Sequence, residues 1–240
     1  MLKAVSDAVI SLFYPQACSV CTQSVENSAD GVACRDCWQR TRIFSDRDVL
    51  CSKCGLFLRE SDHAAETFCR RCDDHHYDSA RAVGIYENAL SASVIRLKHL
   101  PSVSKTPKKY LIDCFYRHEF ANLNLIVPVP LSKKRFLERG FNQAAVLARI
   151  VAKASGIALD EHSLVRVVHT PMHRVAMDKK ARDLTVKNAF AITRPNIING
   201  KNILLIDDVL TSGSTVSHCA KVLKKNGAGS VNVLTLARAV

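Results

Sequence analysis

The chain has few aromatic side chains and no long apolar run. Phe, Trp and Tyr make up 6% of its 240 residues, so the sequence gives no sign of an aromatic platform on which nucleic-acid bases would stack. No stretch reaches the roughly 20 apolar residues that a membrane-spanning helix needs. The first residues also lack the small-residue cleavage pattern of a secretion signal. These absences predict a cytoplasmic protein without a membrane span.

The first residues, "MLKAVSDAVISLFYPQAC", still have an apolar pattern. One helix face would carry Leu2, Val5, Val9, Leu12 and Phe13. Pro15 would end such a helix. We expect a short helix that packs on the protein itself, and binding to a membrane surface is the alternative.

Acidic residues are also scarce relative to basic ones. The chain has 34 Lys and Arg against 22 Asp and Glu, a formal net charge of +12. Between Arg96 and Lys153, twelve basic residues face three acids, which gives that stretch a charge of +9. Such a balance favours anionic partners, namely phosphate esters, nucleic acid or an acidic surface. The alternative is a basic face that is merely solvated.

Cysteine, in contrast, is abundant at ten residues. Eight of these form four Cys-x-x-Cys pairs, which are Cys18/Cys21, Cys34/Cys37, Cys51/Cys54 and Cys69/Cys72. In a reducing cytosol such pairs more often bind metal than form disulfides. A zinc ion takes four thiolates in a tetrahedron, and the gaps of 12, 13 and 14 residues between pairs suit hairpins that return to a metal.

The eight ligands therefore predict two structural zinc ions, with no coordination position left open for catalysis. Sequential pairing of the knuckles is the simplest arrangement, and spacing also allows a crossed one. The other two cysteines, Cys114 and Cys219, lie in helical patterns and are expected in the core. The nearby histidines, His63, His75 and His76, are expected to be exposed in loops.

The pattern of the chain changes after Asp78. Predicted strands and helices alternate from there, and "NILLIDD" is apolar on both faces, as strands of a parallel sheet are. The segment "GFNQAAVLARIVAKASG" predicts a helix that Asn142 caps and Gly156 ends. The sequence thus predicts a cysteine-rich region over residues 1–78 and an α/β domain over residues 79–240.

One stretch, "ILLIDDVLTSGST" at residues 203–215, indicates a ligand site. Its strand flows into a loop and then a helix, so the loop lies where α/β sheets bind ligands. Hydroxyls and N–H groups of Thr211, Ser212, Gly213, Ser214 and Thr215 suit a phosphate. It is not a Walker loop, because no Gly-Lys-Ser/Thr follows.

The two acids that precede this loop, Asp207 and Asp208, would repel a phosphate and should instead accept hydrogen bonds from hydroxyls or help to hold Mg²⁺. A phosphate at one end and a diol at the other describe a ribose 5-phosphate. The alternative is a strand that ends in a polar turn, with Asp208 as a helix cap.

The same stretch resembles the 5-phosphoribosyl-1-pyrophosphate motif of type I phosphoribosyltransferases. The whole chain resembles the ComF family (competence protein F), which joins a double zinc ribbon to a phosphoribosyltransferase domain. Four further stretches match that family in order, and they are "VIRLKH" at 94–99, "VPVPLSKKRFLERGFNQ" at 127–143, "RVAMDKKARDLTVKNAF" at 174–190 and the terminal "VLTLAR". The resemblance implies a parallel sheet of the type I phosphoribosyltransferase kind, flanked by helices.

The resemblance also implies roles for residues. Asp207 and Asp208 would hold the ribose 2′ and 3′ hydroxyls, and residues 211–215 would hold the 5-phosphate. Arg135 and Arg139, in the loop after Pro130, would contact the pyrophosphate, and residues 174–187 would form a mobile loop over the site. Lys98 lies in the family's Leu-Lys-Tyr-like box, although His99 replaces the usual tyrosine.

The activity so implied is transfer of phosphoribose to an acceptor, with Mg²⁺ and loss of pyrophosphate. No element that would recognise a base is evident, so the acceptor and the catalytic residues stay open. The resemblance further implies a part in natural transformation, with single-stranded DNA and competence proteins as partners. The alternative function is a non-catalytic cytoplasmic DNA-binding factor whose phosphoribosyl site is regulatory or vestigial.

Overall fold

The computed structural model describes residues 16–58, 68–69, 72–118, 120, 122–167 and 189–240. Three of the predictions fall outside these residues. They are the N-terminal helix before Pro15, the exposure of His63 and the loop at 174–187.

A parallel four-stranded sheet forms the centre of the chain, as the alternating pattern predicts. Its strands are β1 (Ser79–Ile85), β2 (Leu125–Pro128), β5 (Asn202–Leu210) and β6 (Ser230–Arg238), in the order β1-β6-β5-β2. A separate antiparallel pair consists of β3 (Leu164–Arg166) and β4 (Phe190–Ile192). The central strands β5 and β6 are buried along most of their length because both of their faces are covered.

Helices flank this sheet. They are α1 (Arg35–Gln39), α2 (Asn88–Leu97), α3 (Lys105–Arg117), α4 (Lys133–Arg139), α5 (Gln143–Ser155), α6 (Pro195–Ile198) and α7 (Ser214–Lys225). The predicted ends of α5 are confirmed, since the Asn142 side chain accepts from the N–H of Ala144 at 3.1 Å and Gly156 has φ of 73°. None of the helices in the described ranges has the length and apolar character to cross a membrane.

The cysteine-rich region covers the exposed edge of the sheet at β1. The Phe44 N–H donates to Val83 at 2.9 Å, and the Ile85 N–H donates to Arg42 at 3.0 Å. Further along the strand, the Ala80 N–H donates to Lys53 at 2.7 Å. These bonds satisfy backbone groups that an uncovered edge strand would offer to other chains.

The same region reaches both faces of the sheet. Alternate residues of β5 point to opposite faces, and Leu204 belongs to one apolar cluster while Leu205 belongs to the other. Cys18, Cys34 and Cys37 pack into the first of these clusters, together with α2 and α3. The second cluster contains four other cysteines of this region, which are Cys51, Cys54, Cys69 and Cys72. The cysteine-rich region therefore straddles β1.

Residue 78, where the sequence places the domain boundary, is itself fixed to the sheet. The Asp78 carboxylate accepts from the N–H of Val231 at 2.7 Å and from the Lys224 ammonium at 2.5 Å. The boundary after this residue stays a prediction.

Gly55 tests how closely the cysteine-rich region approaches β1. Its φ is +64°, and a Cβ placed there would lie 2.6 Å from the Ala80 carbonyl oxygen. Gly156 has a similar φ of +73° with nothing within 4 Å of its Cβ position. We expect Gly156→Ala to cost about 1–2 kcal/mol from backbone strain alone. Gly55→Ala should cost more, because a backbone carbonyl must also move.

Thermal unfolding of both variants measures the difference. Equal melting temperatures for Gly55→Ala and Gly156→Ala would contradict the close contact between residue 55 and β1.

Candidate ligand site and metal centres

The two acids Asp207 and Asp208, here called the acid pair, lie near the carboxyl end of β5. Both are half-buried rather than turned into the interior. The Asp207 carboxylate accepts from the N–H of Asp208 at 2.9 Å, and the Asp208 carboxylate accepts from the N–H of Val209 at 2.8 Å. Burial, followed by the charge of Asp208, raises the pKa of Asp207 well above its usual range. A cation or a set of hydroxyl donors would relieve this cost.

Residues 211–215, here called the hydroxyl loop, follow at the same edge of the sheet. Gly213 takes the left-handed conformation with φ of 77° and precedes the first residue of α7. The Ser214 N–H points to the Ser212 hydroxyl at 3.5 Å. Thr211 is exposed, and Ser212 and Thr215 are partly so, so their hydroxyls can meet a ligand. The N–H groups of a first helical turn have no acceptor within that helix, which suits this end of α7 to an anion.

The start of α4 comes to this edge as well. Strand β2 ends beside β5, where the Val129 N–H donates to the Ile206 carbonyl at 2.8 Å. Ser132 then caps α4 by accepting from the Arg135 N–H at 3.4 Å. Arg135 and Arg139 are partly exposed, and none of the residues of α4 is buried. The sheet thus brings α4, the acid pair and the hydroxyl loop to one edge.

Two basic residues of the predicted site differ in how they are held. Arg139 donates to the Gln143 side chain at 2.9 Å, which fixes its guanidinium at the start of α5. Lys98 lies directly after α2 and is partly exposed. In the described part of the chain no hydrogen bond or ion pair joins Lys98 to the acid pair.

Sequence analysis did not identify Arg166, which is the last residue of β3. Its charge acts on Asp207 and partly opposes the rise in pKa that burial and Asp208 cause. The guanidinium also lies 5.4 Å from the centre of the Phe190 ring. Arg166 lies in a strand of only three residues. No regular pattern in the sequence indicates that its charge acts on the end of β5.

The eight paired cysteines form two clusters of four, in the sequential pairing. They are Cys18, Cys21, Cys34 and Cys37 in the first cysteine cluster and Cys51, Cys54, Cys69 and Cys72 in the second. Sulfur–sulfur distances of 3.3–3.8 Å are far beyond a disulfide bond. Zinc–sulfur bonds of about 2.3 Å in a tetrahedron would place the sulfurs about 3.8 Å apart. Both clusters therefore fit a zinc ion.

The acidities of these thiols also suit a divalent cation. Burial disfavours the thiolate of Cys18, yet N–H groups of neighbouring residues lower its pKa to about 6. In the second cluster, similar N–H donors overcome burial and lower the pKa of Cys51 to about 7. Burial raises the pKa of Cys37 to about 12 and that of Cys54 to about 11, with neighbouring thiols adding to it. A bound metal would favour the thiolate forms and displace the remaining protons.

The second cysteine cluster is joined to the end of β6 by a buried arginine. Arg238 is 6% exposed, and its guanidinium donates to the Cys54 carbonyl at 2.5 Å and to the Cys54 sulfur at 3.4 Å. Sequence analysis noted "VLTLAR" but did not assign this contact. A positive charge beside a thiolate cluster stabilises its ionised form.

The remaining predictions for cysteine and histidine have mixed outcomes. Cys114 and Cys219 are in the core as predicted, at 1% and 0% exposed. His76 is exposed as predicted. For His75 the prediction is wrong, because its ring is partly buried against Gly213 of the hydroxyl loop.

Comparison with solved structures finds two chains that resemble this one at low sequence identity. One is the glutamine phosphoribosylpyrophosphate amidotransferase of B. subtilis, at 15% identity and a TM-score of 0.40, with 59% of this chain and 30% of that chain covered. The other is a purine phosphoribosyltransferase of Pyrococcus horikoshii, at 17% identity and a TM-score of 0.33, with coverage of 55% and 70%. The present chain thus spans less than a third of the amidotransferase.

The matches found by sequence cover more of the chain than the structural matches do. Residues 9–73 match the double zinc ribbon domain, and residues 139–239 match the phosphoribosyl transferase domain. The competence protein ComFC of Bacillus subtilis is 37% identical over 220 residues, which are 87% of this chain and 85% of that protein. Competence protein F of Haemophilus influenzae is 28% identical over 237 residues, with 95% and 99% covered.

A third relative is the DNA utilization protein YhgH of Salmonella typhimurium. It is 32% identical over 236 residues, which are 95% of this chain and 99% of that protein. In this chain the double zinc ribbon match precedes the phosphoribosyl transferase match. The chain therefore belongs to the ComF family, whose members join a double zinc ribbon to a phosphoribosyltransferase domain.

Proposed function

We propose that the protein binds 5-phosphoribosyl-1-pyrophosphate with Mg²⁺ at the edge formed by the acid pair, the hydroxyl loop and α4. The observation that carries this proposal is the juxtaposition at the end of β5. Two half-buried carboxylates are followed within a few residues by a hydroxyl-rich turn at a helix N-terminus. A diol that carries a phosphate can donate hydrogen bonds to the carboxylates and accept them from the hydroxyl-rich turn.

In this proposal each part of the edge has one task. The acid pair accepts hydrogen bonds from the ribose 2′ and 3′ hydroxyls, which relieves the charge that burial disfavours at Asp207. The hydroxyl loop and the N–H groups of α7 bind the 5-phosphate. Arg135 and Arg139 lie at the same edge and contact the pyrophosphate.

Magnesium fits this set of donors. Carboxylate oxygens are the protein ligands that Mg²⁺ prefers, usually together with waters and phosphates of a substrate. The acid pair would hold it, and the ion would neutralise charge on the departing pyrophosphate.

The reaction that this edge supports is transfer of the phosphoribosyl group. The bond between ribose C1 and pyrophosphate breaks as an acceptor atom forms its bond to C1, through a state with oxocarbenium character like that of glycoside cleavage. The protein holds the sugar, places positive charge beside the leaving group and excludes water. We therefore infer a glycosyltransferase of the phosphoribosyltransferase type, with the acceptor open.

The names of the relatives bear on the cellular role of the protein. Two of them are named competence proteins and a third is named a DNA utilization protein. We infer from these names that this chain acts in the cytoplasm during natural transformation, alongside other competence proteins.

A second candidate function, binding of single-stranded DNA, is favoured by the surface of α4. The helix presents the basic residues Lys133, Lys134, Arg135 and Arg139. Between them Phe136 is 49% exposed and Leu137 is 84% exposed. Basic groups bind phosphates, and an exposed aromatic ring can stack on a base. The two functions are compatible, because Lys133, Lys134 and Phe136 can serve DNA binding while Arg135 and Arg139 serve the ligand edge.

Removal of the acid pair tests the ligand proposal. In the double variant Asp207→Ala with Asp208→Ala, binding of 5-phosphoribosyl-1-pyrophosphate with Mg²⁺ should fall at least about 100-fold, because hydrogen bonds to charged groups contribute about 1.5–3 kcal/mol each. Calorimetry measures the affinity. The control is Asp46→Ala with Asp113→Ala, which removes the same charge from two exposed positions. Full affinity in the acid-pair variant would place the ligand elsewhere.

The raised pKa of Asp207 predicts a stability trade-off. Because the folded-state pKa lies above the unfolded value of about 3.9, stability of the ligand-free protein falls as pH rises from the unfolded pKa through the folded one. Asp207→Asn removes this loss, so its melting temperature should exceed the wild-type value at neutral pH. The increase should be roughly 2–4 °C for each kcal/mol gained, and the difference should shrink at acidic pH. A variant that melts below wild type at neutral pH would contradict the assignment.

Charge reversal on α4 tests the second function. Lys133→Glu with Lys134→Glu should weaken binding of single-stranded DNA and lower the slope of log affinity against log salt by about 0.7 for each lost phosphate contact. The control is Lys221→Glu with Lys225→Glu, which reverses two exposed lysines of α7. Fluorescence anisotropy at several salt concentrations measures both slopes. Equal slopes in the two variants would exclude α4 as the DNA surface.

A further inference from the structure

The hydroxyl loop and the second cysteine cluster share one packed region. Leu210, directly before the loop, and Val216, directly after it, belong to the same apolar cluster as Cys51, Cys54, Cys69 and Cys72. The first cysteine cluster packs with α2 and α3 in the other apolar cluster. Among the residues that the structure describes, the second cysteine cluster therefore shares its apolar cluster with the residues on either side of the loop.

His75 makes the contact with the loop itself. It lies three residues after Cys72, and its N–H donates to the Cys72 carbonyl at 3.0 Å. A Cβ placed on Gly213 would lie 2.6 Å from Cε1 of the His75 ring. The imidazole thus fills the space beside the left-handed glycine on which the shape of the loop depends.

Two further contacts hold this ring and its turn in place. Nδ1 of His75 shares a hydrogen bond of 2.6 Å with the hydroxyl of Tyr77, which is 1% exposed. The His76 N–H donates to the Ser217 hydroxyl at 3.0 Å, in the first turn of α7. The chain between Cys72 and Tyr77 therefore contacts the middle of the hydroxyl loop and the first turn of α7.

The same metal centre is also tied to the strand that lies beside the entrance to the loop. Arg238 donates to the carbonyl and the sulfur of Cys54. In the sheet Arg238 lies opposite Leu210, the last residue of β5. Movement of Cys54 would therefore be transmitted to the residue at which the hydroxyl loop begins.

We propose that metal binding at the second cysteine cluster and phosphate binding at the hydroxyl loop are thermodynamically coupled, with His75 as the residue that positions the loop. The proposal rests on the function proposed above and names how the same site is regulated. A metal in the cluster fixes residues 72–77, and these hold the loop in its anion-binding shape. By linkage, the phosphate ligand must strengthen metal retention by the same factor.

Competition for zinc at equilibrium measures this coupling. The zinc-loaded protein is titrated to equilibrium with a colorimetric zinc chelator, with and without saturating 5-phosphoribosyl-1-pyrophosphate and Mg²⁺. We expect the ligand to raise the zinc affinity of one of the two sites by about 5-fold or more, the lower end of typical coupling factors. The affinity of the other site should be unchanged. In Cys21→Ser, which removes a ligand of the first cluster, the increase in affinity should persist.

Two adjacent histidines provide a matched pair of variants. His75→Ala should abolish the increase in zinc affinity and weaken ligand affinity, while zinc content stays at two ions per chain. His76→Ala keeps the backbone donor to Ser217 and should behave as wild type. His75→Phe retains a ring against Gly213 and should restore most of the affinity. Should His75→Ala fail to fold, Tyr77→Phe, which removes only the hydroxyl that holds the ring, provides the same comparison.

The outcomes separate this inference from the proposed function. Wild-type protein that binds the ligand without a change in the zinc affinity of either site would overturn the coupling and leave the ligand site intact. Equal ligand affinity and an equal increase in zinc affinity in His75→Ala and His76→Ala would overturn the role of His75. Wild-type protein that does not bind 5-phosphoribosyl-1-pyrophosphate at all would overturn the proposed function and the coupling with it.

Discussion

Burial of β5 on both of its faces is the constraint on which the rest of the structure depends. A strand covered by helices above and below must be apolar along its covered length, and "ILLI" at residues 203–206 meets that requirement with residues that are fully buried. Charged side chains become tolerable only towards the carboxyl end, where Asp207 and Asp208 are half-buried. The parallel arrangement brings the ends of β2 and β5 to the same edge. The acid pair and the hydroxyl loop therefore lie at the edge where β2 ends and the chain continues into α4.

The cysteine-rich region is part of this architecture rather than an appendage. It covers the β1 edge with backbone hydrogen bonds and places one cluster of four cysteines on each face of the sheet. A segment with few large apolar residues has little core of its own, and bound zinc would contribute folding energy directly. Arg238 belongs to the last strand of the sheet, and its buried contact with Cys54 joins the second cysteine cluster to that strand.

The features that sequence could predict depend on local patterns. The strand, turn and helix from residue 203 to 225 are contiguous, and the caps at Asn142 and Gly156 act within a few residues. Pairing of the cysteine knuckles was less certain, since near-equal spacing allows sequential and crossed arrangements alike. The structure selects the sequential pairing, because the four sulfur atoms of each cluster lie within 4.8 Å of one another.

Contacts between distant parts of the chain were not predictable in this way. Arg238 and Cys54 are 184 residues apart, and neither residue shows a pattern that would pair them. The contact of His75 with Gly213 depends on how the cysteine-rich region folds back over the sheet. The charge of Arg166 acts on Asp207 from β3, a strand of only three residues. Such contacts are determined by tertiary packing, which cannot be predicted from periodicity or local propensity.

Hydrogen–deuterium exchange of the zinc-loaded protein, with and without 5-phosphoribosyl-1-pyrophosphate and Mg²⁺, tests the central claim most directly. The account predicts that the ligand slows exchange of backbone amides in residues 211–217 and in residues 129–139. Exchange at the far end of the sheet, around residues 200–203, should stay unchanged. Binding of the ligand without any slowing in residues 211–217 would contradict the account.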